Sequence, residues 1–308
     1  MNIAVMGTGG VGGYFGSLLA KSGQSVMFIA RGAHFEAIHE RGIEIKSVFG
    51  DFTIKPARVT DNPAKVGPAD LVIVATKTYH TDAVAQAIRP MVGDETVVMS
   101  LQNGVDAADR IGAFVGMEHM IGATTWLSAA IEEPGVIGQY SQFRRIAFGE
   151  LNGEKSSRTQ RIFDVLNATG AVIELVDNIT KVLWTKFVFI SAVSALGGLT
   201  RLPFGDYRNV PEARAILTSA IQEVAAVARA KGIQLDDDVV EKTLVFIDSS
   251  APVIKPSFQR DLEAGRVSEL ESMIGIVVQL SSDLGIAAPV MNLAYGAIKP
   301  SQIKALGK

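Results

Sequence analysis

Met1-Asn2-Ile3-Ala4-Val5-Met6-Gly7-Thr8-Gly9-Gly10-Val11-Gly12 opens the chain, and the reading of this stretch decides the fold of the first half. The apolar run from Met1 to Met6 predicts a buried strand, and Val11 to Lys21 has the composition and spacing of a helix. Strand, tight glycine turn and helix start, in that order, are the setting in which a G-x-G-x-x-G pattern binds a dinucleotide. Gly7 permits the tight turn, Gly9 lets a pyrophosphate approach the backbone, and Gly12 lets the helix pack on its strand. The run Gly7, Thr8, Gly9, Gly10, Val11, Gly12 is therefore the candidate cofactor-binding segment, with amides at the helix N-terminus facing the phosphates. A glycine-rich turn that binds nothing would share the local pattern, but position and flanking elements favour the dinucleotide.

Ser22-Gly23-Gln24 ends the helix, and Ser25 to Ala30 predicts the second strand. Sites selective for NAD place an Asp or Glu near the end of that strand, where it binds the ribose 2′-hydroxyl. Here the strand runs into Arg31, followed by His34, with no acid before Glu36. A guanidinium binds a phosphate through two parallel charge-assisted bonds, so Arg31 points to NADP(H) rather than NAD. An ordinary surface arginine is the competing reading, and the offset of Arg31 from the glycine turn favours phosphate recognition.

At 308 residues the chain has room for two domains. Its 48% hydrophobic content, 20% charge and net charge of -3 describe a globular protein with no basic excess for nucleic acid or an anionic membrane. Cysteine is absent, which excludes disulfides, thiolate metal sites and a cysteine nucleophile. The histidines at 34, 39, 80 and 119 offer no i,i+4 ligand pair, so no metal site is expected, and each reads as a surface or cap residue. The start lacks the features of a signal peptide, and a cytoplasmic location is the expectation.

Strand and helix alternate through the first half, which argues for a parallel sheet with helices on both faces. Further strands are expected at Asp70 to Ala75, Thr96 to Ser100, Met120 to Thr124, Val136 to Gln139, Arg145 to Phe148 and Ala171 to Leu175, with a helix at Thr81 to Arg89. From about Asp177 the pattern turns helical: Thr180 to Leu196, Pro211 to Lys231, Asp236 to Phe246 and Ser268 to Gly285, with Gly197-Gly198, Pro203 and Gly205 breaking the first from the second. The expected class is α/β, an N-terminal Rossmann-type doubly wound sheet over 1–177 followed by an all-helical substrate and catalytic domain over 178–308. Such a junction is expected to form a cleft for a small substrate, and the apolar helical half is a candidate surface for a homodimer.

Four residues outside the turn stand out chemically. Lys77 and Asn103 each follow an apolar strand, and ligands of open parallel sheets bind beyond the strands' carboxyl ends. A solvated loop lysine and a turn asparagine before Gly104 are the plain alternatives. Lys186 is the one cation in Leu183-Trp184-Thr185-Lys186-Phe187-Val188-Phe189-Ile190. Burying an ammonium requires a partner or a lowered pKa, unless the stem packs on apolar surface while the head reaches water. As an acid beside a ketone, Lys186 could protonate the oxygen while hydride reaches the carbon. Glu269, near a helix start where acids favour the dipole, could hold Lys186 and a substrate hydroxyl across the cleft.

Together these segments resemble the ketopantoate reductase family, the 2-dehydropantoate 2-reductases. The likeness runs through the glycine turn, Arg31, Ala75-Thr76-Lys77, Gln102-Asn103-Gly104, Leu183-Trp184-Thr185-Lys186, Lys255-Pro256-Ser257-Phe258-Gln259-Arg260-Asp261 and Gly265-Arg266-Val267-Ser268-Glu269-Leu270-Glu271. The resemblance implies reduction of 2-dehydropantoate by NADPH to (R)-pantoate, for pantothenate and coenzyme A synthesis. It implies Lys186 as proton donor, Glu269 as the acid that orients it and contacts bound ligands, and Asn103 between nicotinamide and substrate. It further implies Ser257 on the substrate carboxylate, Lys77 in the cofactor crevice and Ser128 at a cofactor contact. The chain departs from the pattern where asparagines commonly stand four and eight residues beyond the lysine: it has Ile190 and Ser194. Ser194 retains a shorter hydrogen-bonding group toward substrate and Ile190 does not. Reduction of another 2-keto acid, or a catalytically weak NADPH-binding regulator, are the alternatives these departures raise.

Overall fold

The first strand lies in the interior of the sheet. In the computed structural model, which describes residues 1–307, the first half runs β1 (Asn2–Met6), α1 (Gly10–Lys21), β2 (Ser25–Ile29), α2 (Gly32–Arg41), β3 (Ile43–Ser47), β4 (Phe52–Ile54) and β5 (Arg58–Thr60). It continues through β6 (Leu71–Val74), α3 (Thr81–Ile88), β7 (Val97–Ser100), α4 (Ala107–Val115), β8 (Met120–Glu133), β9 (Val136–Gly149), α5 (Ser157–Asn167) and β10 (Val172–Leu175). β1 pairs in parallel with β2 on one side and β6 on the other. The parallel order is β5-β2-β1-β6-β7-β8, so the chain crosses from one side of β1 to the other between β5 and β6. That reversal makes the end of β1 a topological switch point, where the glycine turn lies.

Alternation explains why these strands are apolar throughout. Ile3, Val5, Val26, Phe28, Leu71 and Ile73 enter one core, whereas Ala4, Met6, Ile29, Val72 and Val74 enter another on the opposite face. Both faces are covered, as a parallel sheet with crossover helices requires.

Two expected strands prove to be one. β9 runs unbroken from Val136 to Gly149, antiparallel to β8, which itself continues to Glu133 rather than ending near Thr124. The polar, exposed middle of β9, residues 140–143, hides its strand character, and it falls at the bulge between the two segments of β9 that pair with β8. The first part of β9 also pairs in parallel with β3, and the last part with β10.

The second half contains α6 (Ile179–Thr200), α7 (Phe204–Tyr207), α8 (Pro211–Ala230), α9 (Val239–Ser249), α10 (Ser257–Glu263), a π-helical turn (Glu271–Gly275), α11 (Ile276–Asp283) and α12 (Pro289–Ala305). Its core gathers Trp184, Phe187, Val188 and Leu196 of α6 with Leu217, Ile221 and Val224 of α8 and Met291 and Ile298 of α12. α6 is the one helix among the described residues long and apolar enough to cross a membrane, with mean hydropathy 1.7, and 61% of that window is buried as the core helix of this unit. Glu223 of α8 accepts the Val290 and Met291 amides, both at 2.9 Å, and so caps the start of α12.

The expected break at Gly197-Gly198 does not occur; α6 passes through both and ends at Thr200, ahead of Arg201 at φ +61°. These glycines serve packing. A Cβ on Gly197 would lie 2.4 Å from Gln259 Oε1, and one on Gly198 would lie 3.0 Å from the Phe258 ring. The helix expected from Ser268 is likewise interrupted by the π turn before α11.

Two compact units result: Met1–Gln102 with Asp106–Ile179, and Asn103–Val105 with the chain from Thr180 onward. The short segment after β7 therefore belongs with the helices.

Candidate active site

The glycine turn is built so that side chains are excluded. Gly7 has φ +101°, and a Cβ there would come within 2.9 Å of the Thr76 nitrogen; at Gly12 a Cβ would lie 2.2 Å from the Gly7 carbonyl oxygen. Gly9 occupies the N-cap of α1, no side chain caps the helix, and nothing lies within 4 Å of its Cβ position. The first-turn amides thus keep their donors for another acceptor. A Cβ on Gly10 would strike the Ala129 carbonyl at 2.4 Å, so this helix start lies directly beneath β8. Thr8 is buried, and its hydroxyl donates to the Ile29 carbonyl at 2.9 Å, fastening the turn to β2; Val11 follows it, half-buried, in the first turn of α1.

Around the turn stand the other residues assigned to the nucleotide. Arg31 is exposed two residues past β2, in extended backbone before α2. Lys77 is half-buried just beyond β6. Ser128 sits at a β-bulge in β8, its amide donating to Ser141 Oγ at 2.9 Å. Gln102 is a residue that its place in a motif did not explain. Its carboxamide is buried, donates to the Thr76 carbonyl and Thr81 Oγ1, each at 3.1 Å, and accepts from Ser100 Oγ at 3.0 Å. It ties the end of β7 to the loop that carries Lys77.

In the helical unit, the Lys186 ammonium donates to Asn103 Oδ1 at 3.0 Å. The two residues are 83 apart in sequence. Burial draws the Lys186 pKa down to about 8, against the raising influence of the Glu269 charge. Glu269 is 5% exposed and stands two residues ahead of the π turn, and its carbonyl accepts the Met273 amide at 3.0 Å. Lys186 and Glu269, expected to meet across a cleft, are members of one unit, and Asn103, expected to face the crevice of the sheet, joins them there.

Lys186, Ile190, Ser194 and Gly197 follow one another at spacings of four, four and three, which places them along one face of α6. Ile190 is half-buried against the helical core. Ser194 is fully buried, and its hydroxyl has no hydrogen-bond partner among the described residues. Ser257 opens α10, half-buried, beside Phe258, which packs on α6 at Gly198.

Residues 3–153 match the family model described as Ketopantoate reductase PanE/ApbA, and residues 178–302 match that described as Ketopantoate reductase PanE/ApbA C terminal. The chain belongs to the ketopantoate reductase family. It is 28% identical to the uncharacterized oxidoreductase YkpB of Bacillus subtilis (strain 168), over 97% of this chain and 98% of that one. It is also 28% identical to the 2-dehydropantoate 2-reductase of Pyrococcus abyssi, over 97% of each chain. The crystal structure of 2-dehydropantoate 2-reductase from Geobacter metallireducens GS-15 superposes with a TM-score of 0.92 at 28% identity, covering 98% of this chain and 100% of the other. The ketopantoate reductases are nicotinamide-dependent oxidoreductases acting on a small keto acid, and the fold found here, a parallel-rich sheet followed by helices, is theirs.

Proposed function

We propose that this ketopantoate reductase family member reduces a 2-keto acid with NADPH, 2-dehydropantoate to (R)-pantoate in the first instance, with Lys186 as proton donor. The observation that carries this is the Lys186 ammonium, held by Asn103 Oδ1 at 3.0 Å, under the charge of buried Glu269, with its pKa drawn to about 8. Relatives named 2-dehydropantoate 2-reductase, aligned over almost their whole length, support the substrate class.

The glycine turn fits a dinucleotide: Gly7 and Gly12 exclude side chains, and α1 has no side-chain cap. Gly7 to Gly12, with Thr8 acting through its backbone, would hold the pyrophosphate, Arg31 the 2′-phosphate, and Lys77 and Ser128 further parts of the cofactor. A reduced nicotinamide, when bound, would supply hydride to the keto carbon. Lys186 gives its proton to the keto oxygen, so that the carbonyl leaves as an alcohol and the lysine as a neutral amine. A pKa near 8 keeps most of the acid form at neutral pH while making proton release easier than from an ordinary lysine. Asn103 fixes the ammonium, Glu269 stabilises its charged state and contacts bound ligands, and Ser257 takes the substrate carboxylate.

A second reading is favoured by one face of α6. Ile190 offers no hydrogen bond where family members commonly have asparagine, and the Ser194 hydroxyl is buried without a partner. Such a face suits a less polar 2-keto acid. The test is NADPH oxidation by the purified protein with 2-dehydropantoate and a panel of branched and aromatic 2-keto acids. Lys186→Ala should lower kcat by about 10²–10⁴-fold and leave NADPH binding unchanged. Equal turnover in variant and parent removes Lys186 from the chemistry, and faster turnover of an apolar keto acid favours the second reading.

A further inference from the structure

His34 reads in the sequence as a surface or cap residue; its surroundings give it another part. The ring is half-buried in the first turn of α2, with both nitrogens engaged. Nε2 lies 2.8 Å from the carbonyl oxygen of Thr8, inside the glycine turn, and Nδ1 lies 3.0 Å from the amide nitrogen of Gly135, in the turn joining β8 to β9. The partners determine the tautomer. A carbonyl only accepts, so Nε2 carries the proton; a backbone amide only donates, so Nδ1 carries the lone pair. Burial lowers the His34 pKa, in keeping with the neutral ring that this pairing requires.

The bond to Thr8 acts on the next amide. Thr8 C=O and Gly9 N–H belong to one planar trans peptide, in which carbonyl and amide point in opposite directions. Holding the carbonyl toward His34 therefore aims the Gly9 N–H away from it. Gly9 has open space at its Cβ position and uncapped helical amides following it. The second bond sets the ring itself. Gly135 is anchored through its carbonyl, which accepts the Glu44 amide at 2.9 Å, and the preceding Pro134 carbonyl accepts from Arg41 at 2.9 Å. The β8–β9 turn is thus tied to β3 and to the end of α2, and it holds the ring that holds the glycine turn.

We propose that His34 is a positioning residue for the cofactor: as the neutral Nε2–H tautomer it orients the Thr8–Gly9 peptide so that the Gly9 amide meets the pyrophosphate. This rests on the reading of the glycine turn as a dinucleotide site. Because the pyrophosphate is common to both nicotinamide cofactors, His34 serves NADPH and NADH alike, unlike Arg31.

Dissociation constants for NADPH, NADH and adenosine 2′-monophosphate, which has no pyrophosphate, test it. His34→Ala should weaken NADPH and NADH by a similar factor, about tenfold, the loss of one orienting hydrogen bond. It should leave adenosine 2′-monophosphate within twofold, and kcat at saturating NADPH close to the parent while KM for NADPH rises. His34→Gln, whose carboxamide can donate to Thr8 and accept from Gly135, should recover most of the affinity. Nitrogen NMR of the parent should show His34 protonated at Nε2 alone. Unchanged dinucleotide affinity in His34→Ala, equal weakening of adenosine 2′-monophosphate, or a His34→Gln variant as weak as His34→Ala would overturn the proposal. A parent that binds neither dinucleotide would instead overturn the reading of the turn itself.

Discussion

The glycine turn and the Lys186 cluster solve opposite problems. At the turn the groups proposed to bind are backbone amides, and the protein leaves side chains out around them: a Cβ at Gly7, Gly10 or Gly12 would lie within 3 Å of neighbouring atoms. At Lys186 the proposed working group is one side chain, shaped by what surrounds it: burial, the Asn103 oxygen and the Glu269 charge. Geometry dominates the first site and electrostatics the second. A steric change should therefore be catastrophic at the turn, and a charge change should be felt in the pH dependence of the cluster.

The sharpest way to break this contrast is Gly12→Ala. Its methyl meets the Gly7 carbonyl oxygen at 2.2 Å, a backbone atom that moves only with the turn. We expect loss of more than 100-fold in NADPH affinity and about 3 kcal/mol in stability, read by titration and thermal unfolding. Near-parental affinity would mean that the turn is not the binding element.

Next in size is Arg31→Glu, which alters charge without touching the turn. NADPH should weaken by about 10–100-fold while NADH changes little, because the added carboxylate repels only the 2′-phosphate and can accept from a 2′-hydroxyl. Equal weakening of both cofactors would make Arg31 a general electrostatic contribution.

The smallest expected effect is a shift of profile. As the proposed acid, Lys186 must be protonated, so the rate of reduction should fall as pH rises through about 8, where burial draws its pKa. Glu269 raises that pKa, so Glu269→Gln should move the falling limb below 8 and lower the rate at neutral pH. A limb unmoved by the substitution would separate Glu269 from the titration of Lys186.

Much of the nucleotide half is legible from local sequence because it depends on short-range relations. β1, the turn and α1 occupy consecutive residues, and the alternation of Ile3 and Val5 against Ala4 and Met6 follows from one strand buried on both faces. The β8–β9 hairpin is less legible, since residues such as Gln142 and Phe143 are exposed and fall at the bulge between the two paired segments of β9, where no alternation marks one continuous strand. Gly197-Gly198 misleads for a related reason: glycine lowers local helix preference, but packing of Phe258 and Gln259 on the bare backbone carries α6 through both. The ring of His34 gives no local sign of its task, because Thr8 and Gly135 are 26 and 101 residues away.

By itself the sequence determined the doubly wound sheet, the side-chain-free turn, the helical second half and the anomaly of a lysine in an apolar helix, because each is a matter of spacing and residue type. Tertiary structure alone decided that Asn103 joins Lys186, that the Lys186 pKa falls toward 8 and that His34 holds the glycine turn. Those depend on distance and burial between residues far apart in the chain, and no local pattern encodes them.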